Sequence, residues 1–293
     1  MSLHDFDAVA RTSLLTTALR TKETARPDRL YGDPYAELLT GDVGMALLDE
    51  VAGITDPNHA TVSADGHKLP NTYDFNAIRT RFLDEWLIDG LAGGRFDQVV
   101  IAAAGMDTRA YRLAWPVDVH VFELDRAAVL DFKDDRLAGH DLAAGVKRHP
   151  VRADLVRDDW WGALTEAGFD AVRPAMWLFE GLFYYIAESD TRKVLARLGD
   201  LCPPGSLIAC DLVNEVTLQA PSTELLRDVF VRWGSPWVFG RDEPETFFAA
   251  YGFEVVALQP GEPGAHFGRW QDEVVPRVVP DVPRAFYVHG RRV

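Results

Sequence analysis

The stretch Val99-Val100-Ile101-Ala102-Ala103-Ala104-Gly105-Met106-Asp107-Thr108 decides the fold class of this 293-residue chain. Its first six residues form a short apolar run that ends at a glycine, which is typical of a buried parallel strand and its turn. The turn has one glycine where a dinucleotide-binding loop has three, and Asp107 puts negative charge where a pyrophosphate would rest. The turn therefore suits a ligand without phosphates. The alternative is a plain strand-to-helix turn in which Asp107 is the helix N-cap.

Four more apolar runs follow along the chain. Several of them are separated by segments in which apolar residues recur at helical spacing. The runs lie at His120–Leu124, Val146–Ala153, Ala175–Phe179 and Gly205–Cys210. Strands that alternate with helices predict a parallel α/β sheet wound on both faces. Two late runs, Phe253–Leu258 and Ala285–His289, have no strong helix between them and could form an antiparallel hairpin at one edge.

The first part of the chain has a different pattern. Apolar residues recur at helical spacing in residues 8–25 and 75–91, whereas residues 53–70 have the composition of a loop. We expect residues 1–90 to form a helical cap on an α/β core at residues 91–293. Within the core, residues 214–250 contain the stretch Trp233-Gly234-Ser235-Pro236-Trp237 and are expected to form a lid-like insertion between strands five and six.

The charge and cysteine content limit the partners. Thirty Lys and Arg residues against forty-five Asp and Glu residues give a net charge of −15, which repels nucleic acid and anionic membrane surfaces. The two cysteines, Cys202 and Cys210, match no zinc or redox spacing, and no metal site is expected. The acidic N-terminus lacks the pattern of a signal peptide, so a cytoplasmic location is the default expectation.

Acidic residues end three consecutive predicted strands, at the edge of the sheet where open α/β folds bind ligands. Asp125 follows Gly105 by 20 residues, the spacing at which an acid accepts hydrogen bonds from a ribose diol. Glu123 competes for this role on the same strand face, and an N-cap role for Asp125 is the alternative. Asp154 could accept from an adenine amine while Leu155 packs on the ring, unless Asp154 is simply a loop acid.

Glu180 ends the next strand and is expected near the reacting centre. Arg79, on the helix before the first strand, could bind a ligand carboxylate through two hydrogen bonds, or could form a surface salt bridge instead. On the acceptor side, Tyr184 and Tyr185 follow the fourth strand, although they could belong to the core, and His266 lies on a second candidate rim.

An ordered series of short motifs carries a resemblance to a known family. They are RTSLLTTALR at 11–20, RPDRLYGDPYA at 26–36, RTRF at 79–82, AGMDTRAYRL at 104–113, FELD at 122–125, ADL at 153–155 and EGL at 180–182. Over residues 8 to 215 the chain resembles the S-adenosylmethionine-dependent methyltransferases of the leucine carboxyl methyltransferase type, especially their actinobacterial branch and the related polyketide O-methyltransferases.

The resemblance implies a seven-stranded Rossmann-like sheet with N-terminal cap helices and S-adenosyl-L-methionine across the strand ends. It implies that Arg79 holds the cofactor's carboxylate, Asp125 the ribose, Asp154 and Leu155 the adenine, and Glu180 the methionine amino group. Ala103 and Gly105 would form the cofactor loop, and Ala103 stands where many members have glycine.

Three functions follow as hypotheses. The leading one is O-methylation of a small-molecule acceptor, through either a carboxyl or a hydroxyl group. A carboxylate is already ionised at pH 7 and needs no general base, whereas a hydroxyl acceptor would need one. The alternatives are a nicotinamide-dependent oxidoreductase on a similar sheet and a non-catalytic cofactor-binding protein.

Overall fold

The computed structural model describes residues 8–55 and 72–293, which contain one mixed sheet of seven strands with helices on both faces. The strands are β1 (Gln98–Ala102), β2 (Val119–Asp125), β3 (Val146–Arg152), β4 (Met176–Phe179), β5 (Leu207–Val213), β6 (Phe253–Leu258) and β7 (Ala285–Arg292). The helices are α1 (Ala8–Thr24), α2 (Ala36–Thr55), α3 (Thr72–Ala92), α4 (Arg109–Arg112), α5 (Ala127–Arg136), α6 (Trp160–Glu166), α7 (Glu188–Leu201), α8 (Pro221–Arg232) and α9 (Pro244–Ala249).

The strand order is β3-β2-β1-β4-β5-β7-β6, and the first five strands of the chain pair in parallel. All residues of β1 and β4 are buried, because helices cover both faces of a parallel sheet. The predicted α/β class and the seven-stranded sheet are confirmed. Strands β1 and β4 lie side by side where the strand order reverses, and their carboxyl ends open at the same edge of the sheet.

The late strands do form an antiparallel pair, but β7 lies inside the sheet between β5 and β6. The burial of the two strands explains this order. Phe286, Tyr287 and Val288 of β7 are fully buried, whereas β6 alternates buried and exposed residues as expected of an outer strand. The interior position of β7 was not evident from the sequence.

Two apolar clusters pack on opposite faces of the sheet. One contains Phe122, Trp177 and Phe179 with residues of α6 and α7. The other joins Ile78 and Leu83 of α3 to the strands, so this helix of the N-terminal part lies directly on the sheet. The position of α3 is important for the site, because it carries Arg79 to the strand ends.

The other N-terminal helices pack on each other and on α8. Leu15 and Leu19 of α1 share a cluster with Leu226 and Phe230 of α8, so part of the segment 214–250 rests on the cap helices. Of the predicted loop 53–70, α2 takes the first residues up to Thr55, and the remainder lies outside the described residues. None of the helices in the described ranges combines the length and apolar character needed to cross a bilayer.

Candidate functional site

A cavity of about 390 Å³, here called the strand-end cavity, opens at the carboxyl ends of β1, β2, β3 and β4. All seven residues that the sequence proposed for cofactor binding line it. They are Arg79, Ala103, Gly105, Asp125, Asp154, Leu155 and Glu180. The volume lies within the range of small-molecule sites.

The turn after β1 forms the floor of the cavity through two residues in the left-handed backbone region. Ala103 has φ +55° and Gly105 has φ +47°. A Cβ atom added to Gly105 would lie 3.3 Å from the Cβ of Ser13 on α1, so glycine allows the turn and α1 to approach closely. Ala103 adopts the same region with a side chain, at a cost of about 1–2 kcal/mol.

Asp125 is tied to this turn by its carboxylate. Oδ2 accepts from the backbone N–H of Gly105 at 2.7 Å, and Oδ1 accepts from the N–H of Arg126 at 2.7 Å. Burial raises the pKa of Asp125, and these two hydrogen bonds oppose the shift. Each oxygen keeps a lone pair, so the carboxylate can still accept from a diol.

The competing acid, Glu123, faces away from the cavity. It is fully buried, forms an ion pair with Lys133 at 2.7 Å and accepts from Arg148 at 2.8 Å. It does not line the strand-end cavity. The charge of Glu123 is therefore matched inside the protein, by Lys133 of α5 and Arg148 of β3.

Asp154 and Leu155 begin the loop after β3. Asp154 Oδ1 accepts from the N–H groups of Val156 and Arg157 at 2.8 and 3.1 Å, which fixes the loop. Oδ2 is then the oxygen that remains for a ligand amine. Leu155 is partly buried against the core cluster and also lines the cavity, as an apolar neighbour of a planar ring would.

Glu180 lies between two buried arginines. Its Oε1 accepts from Arg79 Nε at 3.0 Å and its Oε2 accepts from Arg109 Nη1 at 2.8 Å. Burial alone would raise the pKa of Glu180, but the charges of Arg109 and Arg79 lower it. Glu180 is therefore an ionised carboxylate at neutral pH, with lone pairs left on both oxygens. Arg79 is buried here and forms no surface salt bridge.

Arg109 is a cavity residue that the sequence did not single out. It is 2 % exposed, donates to Asp84 at 2.7 Å and pairs with Asp107, and its Nη2 has no hydrogen-bond partner among the described residues. Asp107 Oδ1 also accepts from the N–H of Arg109 at 2.7 Å, while Thr108 is the residue at the N-cap of α4. Burial would raise the pKa of Asp107, but the charge of Arg109 lowers it.

The remaining candidates lie on two different surfaces. Tyr184 and Tyr185 line the strand-end cavity, whereas His266 is exposed on the loop after β6 and is not among its lining residues. The hydroxyl of Tyr184 donates to Asp211 Oδ2 at 3.1 Å, and burial raises the pKa of this tyrosine well above its usual value. Among the cavity-lining residues that the structure describes, none is a histidine.

Helix α1 closes one side of the cavity. Thr12, Ser13, Thr16 and Arg20 line it, although the sequence assigned them no role. Arg20 fixes α1 in this position, since it donates to the carbonyl of Met106 at 2.5 Å and to Asp33 at 2.9 Å. The N-terminal helices thus provide a wall of the site.

Comparison with solved structures identifies the fold. The chain resembles a "putative methyltransferase" from Thermobifida fusca YX with a TM-score of 0.61, at 19% identity over 96% of this chain and 94% of that one. It also resembles a DUF574 family protein from Streptomyces avermitilis with a TM-score of 0.57, at 13% identity over 95% and 97% of the two chains.

Comparison with curated protein sequences finds relatives of higher identity than these solved structures. A Saccharopolyspora erythraea protein named "Putative S-adenosyl-L-methionine-dependent methyltransferase" is 41% identical over 205 residues, which cover 70% of this chain and 68% of that protein. A Mycobacterium bovis protein of the same name is 39% identical over 204 residues. That match covers 70% of this chain but only 61% of the mycobacterial protein. The model of the leucine carboxyl methyltransferase family matches residues 13–199, and the chain therefore belongs to that family.

Proposed function

We propose that this protein is an S-adenosyl-L-methionine-dependent methyltransferase that methylates an oxygen atom, carboxyl or hydroxyl, of a small molecule. The observation that carries the proposal is the strand-end cavity, where one sheet edge collects hydrogen-bonding groups that match each polar part of this cofactor. The family relationship supports the same proposal.

The residues of the cavity fit the cofactor group by group. S-adenosylmethionine has a diol, an adenine amine, an ammonium, a carboxylate and a sulfonium cation, but no phosphate. Asp125 would accept from the diol, Asp154 from the adenine amine, and Glu180 from the ammonium. Arg79 would donate to the carboxylate, and the turn at Ala103 and Gly105 brings backbone close to the ligand. The cofactor supplies an electrophilic methyl group on sulfur.

The turn after β1 favours this ligand over a nicotinamide dinucleotide. Asp107 has a lowered pKa and places a carboxylate in this turn, where a pyrophosphate would rest. Ala103 lacks the freedom of the first glycine of a dinucleotide loop. The nicotinamide hypothesis therefore ranks second to methyl transfer.

The acceptor would enter beside the two tyrosines. Tyr184 stays protonated at neutral pH because its pKa is raised, so it orients groups and does not act as a base. An acceptor that arrives ionised, such as a carboxylate, needs only alignment with the methyl group. A hydroxyl acceptor would need to lose its proton to another group. The described lining has no histidine to take that proton, which favours a carboxylate acceptor.

We infer that segment 214–250 forms a wall of the acceptor entrance. The N–H of Val238 donates to the carbonyl of Tyr184 at 2.8 Å, and the ring centroids of Trp237 and Tyr184 are 5.4 Å apart. Trp237 also stacks on Phe230 of α8, with centroids 5.4 Å apart. The segment is thus linked both to an acceptor-side tyrosine and to the cap helices.

Calorimetry with S-adenosylmethionine and S-adenosylhomocysteine tests the cofactor. Asp125→Ala should weaken binding of either ligand by about 1–3 kcal/mol, because it removes a hydrogen-bond acceptor from the cavity. Asp131→Ala is the matched control, since Asp131 is half exposed on α5 and pairs with Arg152 outside the cavity. Failure of a folded wild-type protein to bind either ligand would contradict the proposal.

A screen of organic acids and phenols tests catalysis separately. Mass spectrometry of each reaction should detect a product heavier by one methylene together with S-adenosylhomocysteine. Binding of the cofactor without turnover across both acceptor classes would favour the non-catalytic hypothesis.

A further inference from the structure

Asp211 lies near the end of β5 and is fully buried, yet it contacts three groups that surround the strand-end cavity. Its Oδ2 accepts from Arg79 Nη1 at 2.7 Å and from the hydroxyl of Tyr184 at 3.1 Å. Its Oδ1 accepts from the N–H of Gly181 at 2.6 Å. Asp211 itself is not among the residues that line the cavity.

The three partners belong to three different elements. Arg79 comes from α3, Gly181 from the turn after β4, and Tyr184 from the short 3₁₀ turn Phe183–Tyr185. All three partners line the strand-end cavity. The buried carboxylate of Asp211 therefore fixes the relative positions of these three groups, which are a guanidinium, a turn and a phenol, on one side of the cavity.

The bond to Gly181 also determines where Glu180 lies. Gly181 has φ +67°, a conformation that favours glycine, and its N–H belongs to the same peptide unit as the Glu180 carbonyl. Because Asp211 holds this peptide, it limits the positions that the Glu180 side chain can reach. The link runs through the backbone and requires no contact between the two carboxylates.

The charge of Arg79 gives a second argument. Arg79 is 4 % exposed, and a buried guanidinium needs a counter-ion. Its bond to Asp211, at 2.7 Å, is shorter than its bond to Glu180, at 3.0 Å. Since Asp211 neutralises Arg79, Glu180 is not the sole counter-ion of this arginine and can also accept a hydrogen bond from a cationic ligand.

We propose that Asp211 is a positioning residue for the amino-acid end of S-adenosylmethionine, an inference that rests on the proposed function. Asp211 holds Arg79 and the Glu180-Gly181 turn so that the Arg79 guanidinium and the Glu180 carboxylate face the same ligand. Asp211 itself does not line the cavity. Asp211 shares no hydrogen-bond partner with Asp125 or Asp154 among the described contacts.

A truncated ligand tests this role. S-adenosylhomocysteine has the amino-acid end, whereas 5′-methylthioadenosine has the same adenine and ribose without it. Asp211→Asn puts an amide N–H₂ among three donors, so it should weaken binding of S-adenosylhomocysteine about 10- to 100-fold. Binding of 5′-methylthioadenosine should change by less than about twofold, because the ribose and adenine contacts remain. Calorimetry measures both affinities.

Glu123→Gln is the matched control. Glu123 is as deeply buried as Asp211 and is also paired with cations, but it does not line the cavity or contact the partners of Asp211. Glu123→Gln should lower stability while leaving the ratio of the two ligand affinities unchanged. If Asp211→Asn does not fold, Asp211→Glu replaces it, because this variant keeps the charge and displaces the acceptor oxygens. It should lose affinity for S-adenosylhomocysteine and keep its affinity for 5′-methylthioadenosine.

The outcomes separate the two proposals. Wild-type protein that binds neither ligand would contradict the proposed function. Wild-type protein that binds both, with folded Asp211 variants that lose both equally or retain both fully, would contradict the positioning role and leave the proposed function intact. A loss confined to S-adenosylhomocysteine supports the inference.

Discussion

Arg109 and Glu180 are separated by 71 residues in the sequence and are joined by a hydrogen bond of 2.8 Å between Nη1 and Oε2. The bond links the helix after β1 to the turn after β4. These two strands are neighbours in the sheet, so the pairing of β1 with β4 places both residues at one edge. The arginine gains two further carboxylate partners, Asp84 and Asp107.

Arg109→Met should lower the free energy of unfolding by about 3–5 kcal/mol, because it removes one cation from Asp84 and Glu180 and the paired cation of Asp107. Denaturant unfolding measures the change. Arg291→Met is the control, since Arg291 pairs with Glu254 on the surface, where both side chains are more than 60 % exposed. The control should cost less than about 1 kcal/mol. Equal losses in the two variants would contradict the prediction that the buried ion pairs of Arg109 stabilise the fold.

Ala103→Gly should stabilise the protein by about 0.5–1 kcal/mol. The left-handed conformation costs an alanine about 1–2 kcal/mol, and part of that gain is offset by the greater freedom of glycine in the unfolded chain. Thermal unfolding of the variant measures the effect. Ala104→Gly is the control, because Ala104 has no positive φ and should only lose stability. A less stable Ala103→Gly variant would show that the turn is not strained.

Binding of 5′-methylthioadenosine should weaken as the pH falls, starting above the ordinary aspartate pKa of 3.8. Burial raises the pKa of Asp125, so this carboxylate takes up its proton at a higher pH than an exposed aspartate. The protonated form accepts fewer hydrogen bonds from a diol. In the ligand-free protein the stability linked to this group is present at low pH and lost as the pH rises through the raised pKa.

Affinity measured by calorimetry across the acidic range checks this prediction. Asp125→Asn should bind weakly at every pH, with most of the acid-dependent decline removed. A decline of the same size in Asp125→Asn would assign the titration to a different group.

Trp237→Ala should raise the KM for the methyl acceptor at least several-fold and leave the affinity for S-adenosylhomocysteine nearly unchanged. Trp237 packs on Tyr184 at the acceptor side and does not line the part of the cavity proposed for the cofactor. Steady-state kinetics and calorimetry give the two quantities. Trp86→Ala, on α3 away from this cavity, should change neither; a fall in cofactor affinity for Trp237→Ala would contradict the assignment.

The strands and their acidic ends were predictable because they depend on local patterns. Apolar runs bounded by turn residues placed β1 to β5 within a few residues of their positions in the structure, and Asp125 and Glu180 followed from them. Asp211 was overlooked although the same signal was present, since it directly follows the predicted fifth run Gly205–Cys210. Extending the strand-end rule to this run would have found it.

Other parts of the site had no local signal. Asp84 and Arg109 meet only because α3 packs on the sheet beside the turn after β1. Ser13 lines the cavity because α1 folds over that turn, a contact between elements about 90 residues apart. His266 illustrates the opposite case, since its residue type suggested chemistry but its loop lies elsewhere on the surface. Such pairings are set by tertiary packing.

The interior position of β7 imposes an order on assembly. The outer strand β6 pairs with β7 within the described sheet, although it precedes β7 in the chain by about 30 residues. During synthesis on the ribosome, β1 to β5 can pair as they emerge, while β6 must wait until β7 has been made. The half of the sheet that carries the strand-end cavity can therefore form first, and the antiparallel half closes afterwards onto β5.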